Sequence, residues 1–302
     1  MAQLPALALA AAPGRRAQTL NLVREIESRG FAGIYCASFG DAIGLCLSIA
    51  HTTNSISFGT SIANIYARNP FDMAQAGAYI HELSEERFYL GIGVSHGPAN
   101  QRLGASPGRP LSDMRGYVEA MRSSGEQFGP LPPIVLATLR EKMTALAGEI
   151  AEGAVWANAS LSHVRDSLAT LPDGKVNSGQ FFIGDMLPTC IDDDANAAAA
   201  RNRRTLISYV SLPNYRNYWK EAGYVEEMEA IEQALSEGRQ DQLPELMTDQ
   251  WLADCTLFGT VSQVRTKLEE WFAVGISTPI VVPSSTSGGQ MKAFEEVITA
   301  FA

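Results

Sequence analysis

The sequence predicts a (β/α)₈ barrel, and three observations carry that expectation. Short apolar runs alternate with helix-patterned segments along most of the chain, the rhythm of parallel βα units. Eight such runs occur, near 5–11, 32–37, 56–63, 87–94, 133–138, 153–158, 179–185 and 277–283, and eight strands close a barrel. The 302 residues, 46% hydrophobic and 19% charged, supply one sizeable core, so 1–302 reads as a single domain.

The first run lies in MAQLPALALAAAPGRR. No basic residue precedes it and Pro5 interrupts it, so it reads as a buried strand rather than an export signal. The third, Ser57 to Ile62, gives way to Ala63 and Asn64 where an apolar pattern should continue; small side chains there admit a flat ring. Asn69-Pro70 then offers an N-cap and a first-turn proline, with Phe71, Ala74 and Ala78 on one side of the helix. The fourth run, Phe88 to Val94, contains Gly91 and Gly93. Glycines at alternate strand positions imply close approach of another backbone or a flat ligand. After it come Ser95 and His96, at the catalytic end of a barrel strand. A histidine so placed is a candidate general acid/base, against the ordinary structural role of most histidines.

The fifth run, Ile134 to Ala137, leads into Thr138-Leu139-Arg140-Glu141-Lys142-Met143. Thr138 and Glu141 match a capping box, and Met143, Leu146 and Ile150 mark a buried stripe. A helix starting there aims free N–H groups at the strand ends, which suits an anion. Arg140 and Lys142 in its first turn oppose the macrodipole unless a phosphate binds; they also read as two solvated side chains beside Glu141. Residues 186–255 break the rhythm with helical, aromatic material including Tyr209, Tyr215, Tyr218 and Trp219. This is an insertion before the last helix-strand unit, either packing over the strand ends or forming an ordinary surface subdomain. In that last unit Thr260 and Gln263 make a capping box, and Val261, Val264, Leu268, Trp271 and Phe272 recur at helical spacing.

With 23 basic and 33 acidic side chains the net charge is −10, which disfavours nucleic acid and anionic lipid as partners. No stretch has the roughly 20 apolar residues of a membrane span. Cys36, Cys46, Cys190 and Cys255 show no metal or disulfide spacing, and a reducing cytoplasm fits. Nucleophile elbows, zinc helices, phosphate loops and the three-glycine dinucleotide fingerprint are all missing.

The run FGTSIANIYARNPFDMAQAGAYIHELSEERFYLGIGVSHGP, from Phe58 to Pro98, resembles the core of the bacterial-luciferase-like oxidoreductases. It is most similar to their branch of F420-dependent enzymes. LATLREKMTALAGEIAEGAVWAN and FGTVSQVRTKLEEWFAVGI resemble later signatures of that family, and SYVSLPNYRNYWKEAGY resembles that branch's insertion. The resemblance implies a TIM barrel that dimerises through helices two and three, here about 41–53 and 70–84. It implies a flavin or the deazaflavin coenzyme F420 at the strand ends. It places a non-proline cis peptide at Ser61-Ile62 beneath the ring, with Ala63 and Asn64 beside it. Ser95 and His96 match positions touching ring or substrate. Thr138, Leu139, Arg140 and Met143 fall in the phosphate-proximal helix start.

Three departures qualify it. Ser38 and Phe39 stand where deazaflavin sugar-phosphate dehydrogenases carry an Asp-His pair, His96 stands for their acid, and Val94 stands for the phosphate-binding arginine of true luciferases. The leading expectation is therefore hydride transfer between F420 and a small organic substrate, with His96 catalytic and Phe39, Tyr215 and Trp219 lining the substrate cavity. An FMN monooxygenase fed by a separate reductase is the alternative. A catalytically idle barrel acting as a binding protein is a third reading.

Overall fold

The structure, a computed structural model, describes residues 3–38, 40–125, 127–172 and 174–301. Its internal contacts group the chain into two compact units: Met1–Trp156 with Thr170–Gly184, and Ala157–Ala169 with Asp185–Ala302.

In the first unit strands and helices alternate. They are β1 (Ala6–Leu9), α1 (Arg16–Ser28), β2 (Ile34–Cys36), α2 (Ala42–Thr52), β3 (Phe58–Thr60), β4 (Ala63–Asn64), α3 (Pro70–Leu83), β5 (Phe88–Gly93), α4 (Gly97–Arg102), α5 (Pro110–Gly125), β6 (Ile134–Ala137), α6 (Glu141–Ile150) and β7 (Gly153–Ala157). The strands pair in parallel, with Leu7 opposite Ile34, Ile34 opposite Phe58, Phe58 opposite Phe88, Leu90 opposite Ile134 and Leu136 opposite Ala154. All of these residues are buried, as expected of parallel strands covered on both faces. The apolar N-terminal run is thus a core strand.

The amino ends of the strands are tied by charge-assisted bonds. Glu27 accepts N–H bonds from Asn54, Ser55 and Ile56 at 2.7–3.1 Å, which hold its carboxyl below the usual range against the opposing effect of burial. Arg87, before β5, donates to Thr53 Oγ1 at 2.8 Å and to the carbonyls of Ile56 and Thr53 at 3.0 and 3.1 Å. Capping of α3 matches the sequence, since Asn69 accepts from the Phe71 N–H at 2.9 Å. Phe71 itself does not: Ala74 and Ala78 are buried, whereas Phe71 is 46% exposed and meets Phe128 edge-on at 4.9 Å.

The second unit contains α7 (Val164–Leu168), most of β8 (Phe182–Ile191), α8 (Ala195–Val210), α9 (Pro213–Glu221), α10 (Val225–Ser236), α11 (Leu243–Leu246), α12 (Asp249–Cys255), β9 (Leu257–Gly259), α13 (Val261–Ala273), β10 (Thr278–Ser284) and α14 (Gln290–Ala300). Two sequence expectations are corrected. The seventh strand continues six residues past 185, to Ile191, and Leu257–Gly259 is a further strand pairing with Thr189–Ile191. Pro188 punctuates the run, yet the strand tolerates it; its carbonyl and that of Leu257 accept from Asn202 Nδ2 at 3.3 and 3.0 Å. The Thr260–Gln263 capping box is present. Val264, Leu268 and Trp271 are buried beneath α13, while Val261 faces solvent.

Candidate active site

The carboxyl ends of β3, β5 and β6 meet around Ile62. The Ser61–Ile62 peptide is cis, where the resemblance placed it. Ser61 N–H donates to the Cys36 carbonyl at 2.8 Å and Ile65 N–H to that of Gly93 at 3.1 Å. Thr60 Oγ1 donates to the Gly91 carbonyl at 2.6 Å. The two glycines of β5 are explained by this approach. A Cβ on Gly91 would lie 1.9 Å from the Thr60 carbonyl oxygen, and one on Gly93 would lie 3.0 Å from Ile62 Cδ1 and 2.9 Å from Ala137 Cβ. What comes close is therefore the neighbouring strand and the Ile62 side chain.

Asn64 serves the protein. Its Nδ2 donates to Asn100 Oδ1 at 2.8 Å and its Oδ1 accepts from the Tyr66 N–H at 3.0 Å. Asn100 Nδ2 in turn donates to the Val94 carbonyl at 2.9 Å. This buried amide pair fixes the loop holding Ser95 and His96 against β4. Ser95 is left-handed, with φ 56, and such backbone outside glycine concentrates at functional sites. His96 caps the short α4. Burial lowers its pKa, so the imidazole is uncharged at neutral pH.

Thr138 extends β6, its N–H bonding the Val155 carbonyl at 2.9 Å. The capping box expected between Thr138 and Glu141 does not form. The N-cap of α6 is Arg140, in extended backbone without a side-chain cap bond, so Thr138 sits two residues too early. Of the expected stripe on α6, Leu146 is buried, while Met143 and Ile150 are half-exposed. Among the described residues Thr138 Oγ1 is buried without a partner, and the Met143 N–H closes a first turn onto the Arg140 carbonyl at 3.0 Å. Leu139 is half-exposed and Arg140 exposed.

Phe39 lies outside the described residues. Tyr215 and Trp219 sit in an aromatic row of the second unit. Tyr209 meets Tyr215 at 5.0 Å, Tyr215 meets Trp219 at 5.4 Å and Trp219 meets Trp251 at 4.9 Å. Sequence reasoning missed Asn100, Ser160 and Asp185. Asp185 carried a signal, being a carboxylate inside the apolar run FFIGDMLP.

Parallel βα units whose special backbone and orphaned polar groups gather at strand carboxyl ends define a (β/α)₈ enzyme. The family model described as luciferase-like monooxygenase matches residues 5–278, and the chain belongs to that family. It is an oxidoreductase of the luciferase-like superfamily. An uncharacterised protein of Mycobacterium tuberculosis is 26% identical over 83% of this chain and 86% of its own. The structure of the coenzyme F420-dependent tetrahydromethanopterin reductase of Methanopyrus kandleri superposes with a TM-score of 0.76 at 18% identity, covering 100% of both chains. The 3,6-diketocamphane monooxygenase component of Pseudomonas putida, solved with FMN, gives 0.62 at 15% identity, covering 99% of this chain and 96% of that one. These likenesses show the (β/α)₈ fold.

Both of those proteins' cofactors carry a phosphate, and the donor set here suits one. The Thr138 hydroxyl, without a partner among the described residues, stands two residues before the N-cap Arg140 of α6, whose N-terminus has no side-chain cap and favours an anion.

Proposed function

We propose that the protein transfers hydride between coenzyme F420 and a small organic substrate. The observation that favours F420 over FMN is Val94. Directly after β5, it puts an apolar side chain where the resemblance sets the phosphate-binding arginine of true luciferases. In this reading Ser61, Ile62, Ala63 and Asn64 buttress the ring, Ser95 lines it, and Thr138, Leu139, Arg140 and Met143 hold phosphate. When bound, the deazaflavin supplies or accepts the hydride. His96, uncharged at neutral pH, accepts or donates the accompanying proton. Tyr215 and Trp219 line the substrate cavity.

Side-by-side titration of the purified protein tests the reading. F420 fluorescence should change saturably and FMN should bind much more weakly. The reverse order would support the FMN monooxygenase.

Two lesser assignments accompany it. The four cysteines are buried and free, which supports a reducing, cytoplasmic setting. Tyr79 and Leu83 are exposed on α3 at 59% and 37%; they lie four residues apart on one face, which supports a homodimer through α2 and α3.

A further inference from the structure

Within the second unit α9 packs against α8 and α10. Tyr215 and Trp219 lie one turn apart on one stripe of this helix, and Arg216 and Lys220 one turn apart on the next, about 100° further round. Both cations end on a single carboxylate of α10. Glu232 Oε1 accepts from Arg216 Nε at 3.2 Å, and Oε2 accepts from Lys220 Nζ at 2.7 Å. Arg216 is buried, and its Nη1 also donates to the carbonyl of Val210, the last residue of α8, at 2.7 Å. The Lys220 bond, aided by Arg216, holds the Glu232 carboxyl below its usual range against the opposing effect of burial.

A lone exposed ion pair does little, but this is a network of three charges with its guanidinium buried. A single pair joins two helices at a point and leaves either free to turn about it. Here one carboxylate grips two positions a turn apart, and Arg216 ties α8 to the same node. The rotation of α9 about its own axis is thereby set, and the aromatic stripe turns with it. Tyr215 and Trp219 are buried, yet burial is non-directional and fixes no ring angle. Beside them two neutral bonds act. Tyr218 Oη accepts from the Ser160 N–H at 3.0 Å, and Trp219 Nε1 donates to the Asn158 carbonyl at 3.2 Å. Charge-assisted bonds are roughly twice as strong, so the Glu232 node carries the larger share.

We propose that Glu232 is a positioning residue: by gripping Arg216 and Lys220 it sets the rotation of α9, and with it the angle at which Tyr215 and Trp219 face a substrate. For that last step the proposal rests on the oxidoreductase reading, in which these two aromatics line the cavity. The rotation itself is measured on cofactor-free protein, so either can fail alone.

The test is near-ultraviolet circular dichroism of the full chain, where coupled rings give bands whose sign and size follow their mutual angles. Trp219 meets Tyr215 at 5.4 Å and Trp251 at 4.9 Å, close enough to couple, and Trp219→Phe identifies their band in the wild type. Glu232→Gln keeps the size of the side chain and loses its charge. It should lose most of that band while the far-ultraviolet spectrum stays unchanged. Lys220→Met removes one of the two grips and should reduce the band to a lesser extent; Lys220→Arg should restore it. Glu229 is exposed on α10, one turn from Glu232, and Glu229→Gln is the charge-matched control that should leave the band intact. A wild-type band in both Glu232→Gln and Lys220→Met overturns the proposal, as does an equal loss in Glu229→Gln. So does a crystal structure of Glu232→Gln with Tyr215 and Trp219 in their wild-type orientation.

Discussion

Asn64 and Asn100 form a buried side-chain amide pair, Nδ2 to Oδ1 at 2.8 Å, joining β4 to the helix that His96 caps. Neither amide can lose its partner and regain water. Removing Asn100 strands the Asn64 amide and the Val94 carbonyl together, a loss of about 1–3 kcal/mol per buried group. Asn100→Ala should therefore lower the melting temperature and loosen Ser95 and His96. Thermal denaturation followed by F420 titration reads both effects; unchanged affinity in the folded variant would assign the pair to stability alone.

Glycine substitutions separate close approach from mere flexibility. Gly91→Ala puts a methyl 1.9 Å from the Thr60 carbonyl oxygen, and backbone cannot yield as a side-chain tip can. Overpacking of this kind costs about 1–3 kcal/mol or more. Gly116 is exposed in α5, and a methyl added there meets nothing within 4 Å. Gly116→Ala should therefore stabilise by about 0.5–1 kcal/mol through helix propensity. Chemical denaturation of the two variants should give opposite signs.

The architecture was legible because parallel strands are buried on both faces and therefore apolar throughout, as in ALAL of β1 and IVLA of β6. Errors arose where two local signals compete. Thr138 and Glu141 have capping-box spacing, but β6 keeps Thr138 in its ladder, and tertiary pairing overrode the local motif. Proline ordinarily ends a strand, yet the carbonyl of Pro188 is secured by Asn202 and the strand runs on. Partnerships such as Asn64 with Asn100, or Ala159 with Asp185, join residues far apart in sequence and have no local pattern. The position of the Ser61–Ile62 bond came from family resemblance alone.

Asp185 makes stability depend on pH. Its folded pKa, about 8, lies above the ordinary carboxyl value, so between those values the unfolded chain binds fewer protons than the folded one. Stability contributed by this group therefore falls as pH rises through that window, by at most about 1.4 kcal/mol per pH unit. Melting temperatures measured from pH 5 to 9 should decline more steeply in the wild type than in Asp185→Asn. Parallel curves would show that the carboxyl titrates normally.

His96 is held uncharged by burial, so its pKa lies below the ordinary imidazole value and the neutral form dominates at pH 7. As a base it works without first shedding a proton; as an acid it loses activity as pH rises. With an identified substrate, His96→Ala should reduce turnover by about 10²–10⁴-fold, the usual range for a positioned proton-transfer group. F420 affinity should change little, because the proposed phosphate-binding residues are others, Thr138 to Met143. The pH profile of kcat should lose its His96 limb in the variant. Equal turnover would move proton transfer to another residue.

The α3 surface offers a test independent of cofactor. Tyr79 and Leu83 face solvent on one side of the helix, where an isolated chain gains nothing from apolar groups. If a second copy covers them, Tyr79→Lys with Leu83→Glu places charges in the seam, and the dimer should dissociate by analytical ultracentrifugation. Because both side chains point away from the first unit's core, the monomer should stay folded by circular dichroism. A wild-type chain that sediments as a monomer at tens of micromolar would remove the homodimer, leaving these residues as ordinary exposed hydrophobes.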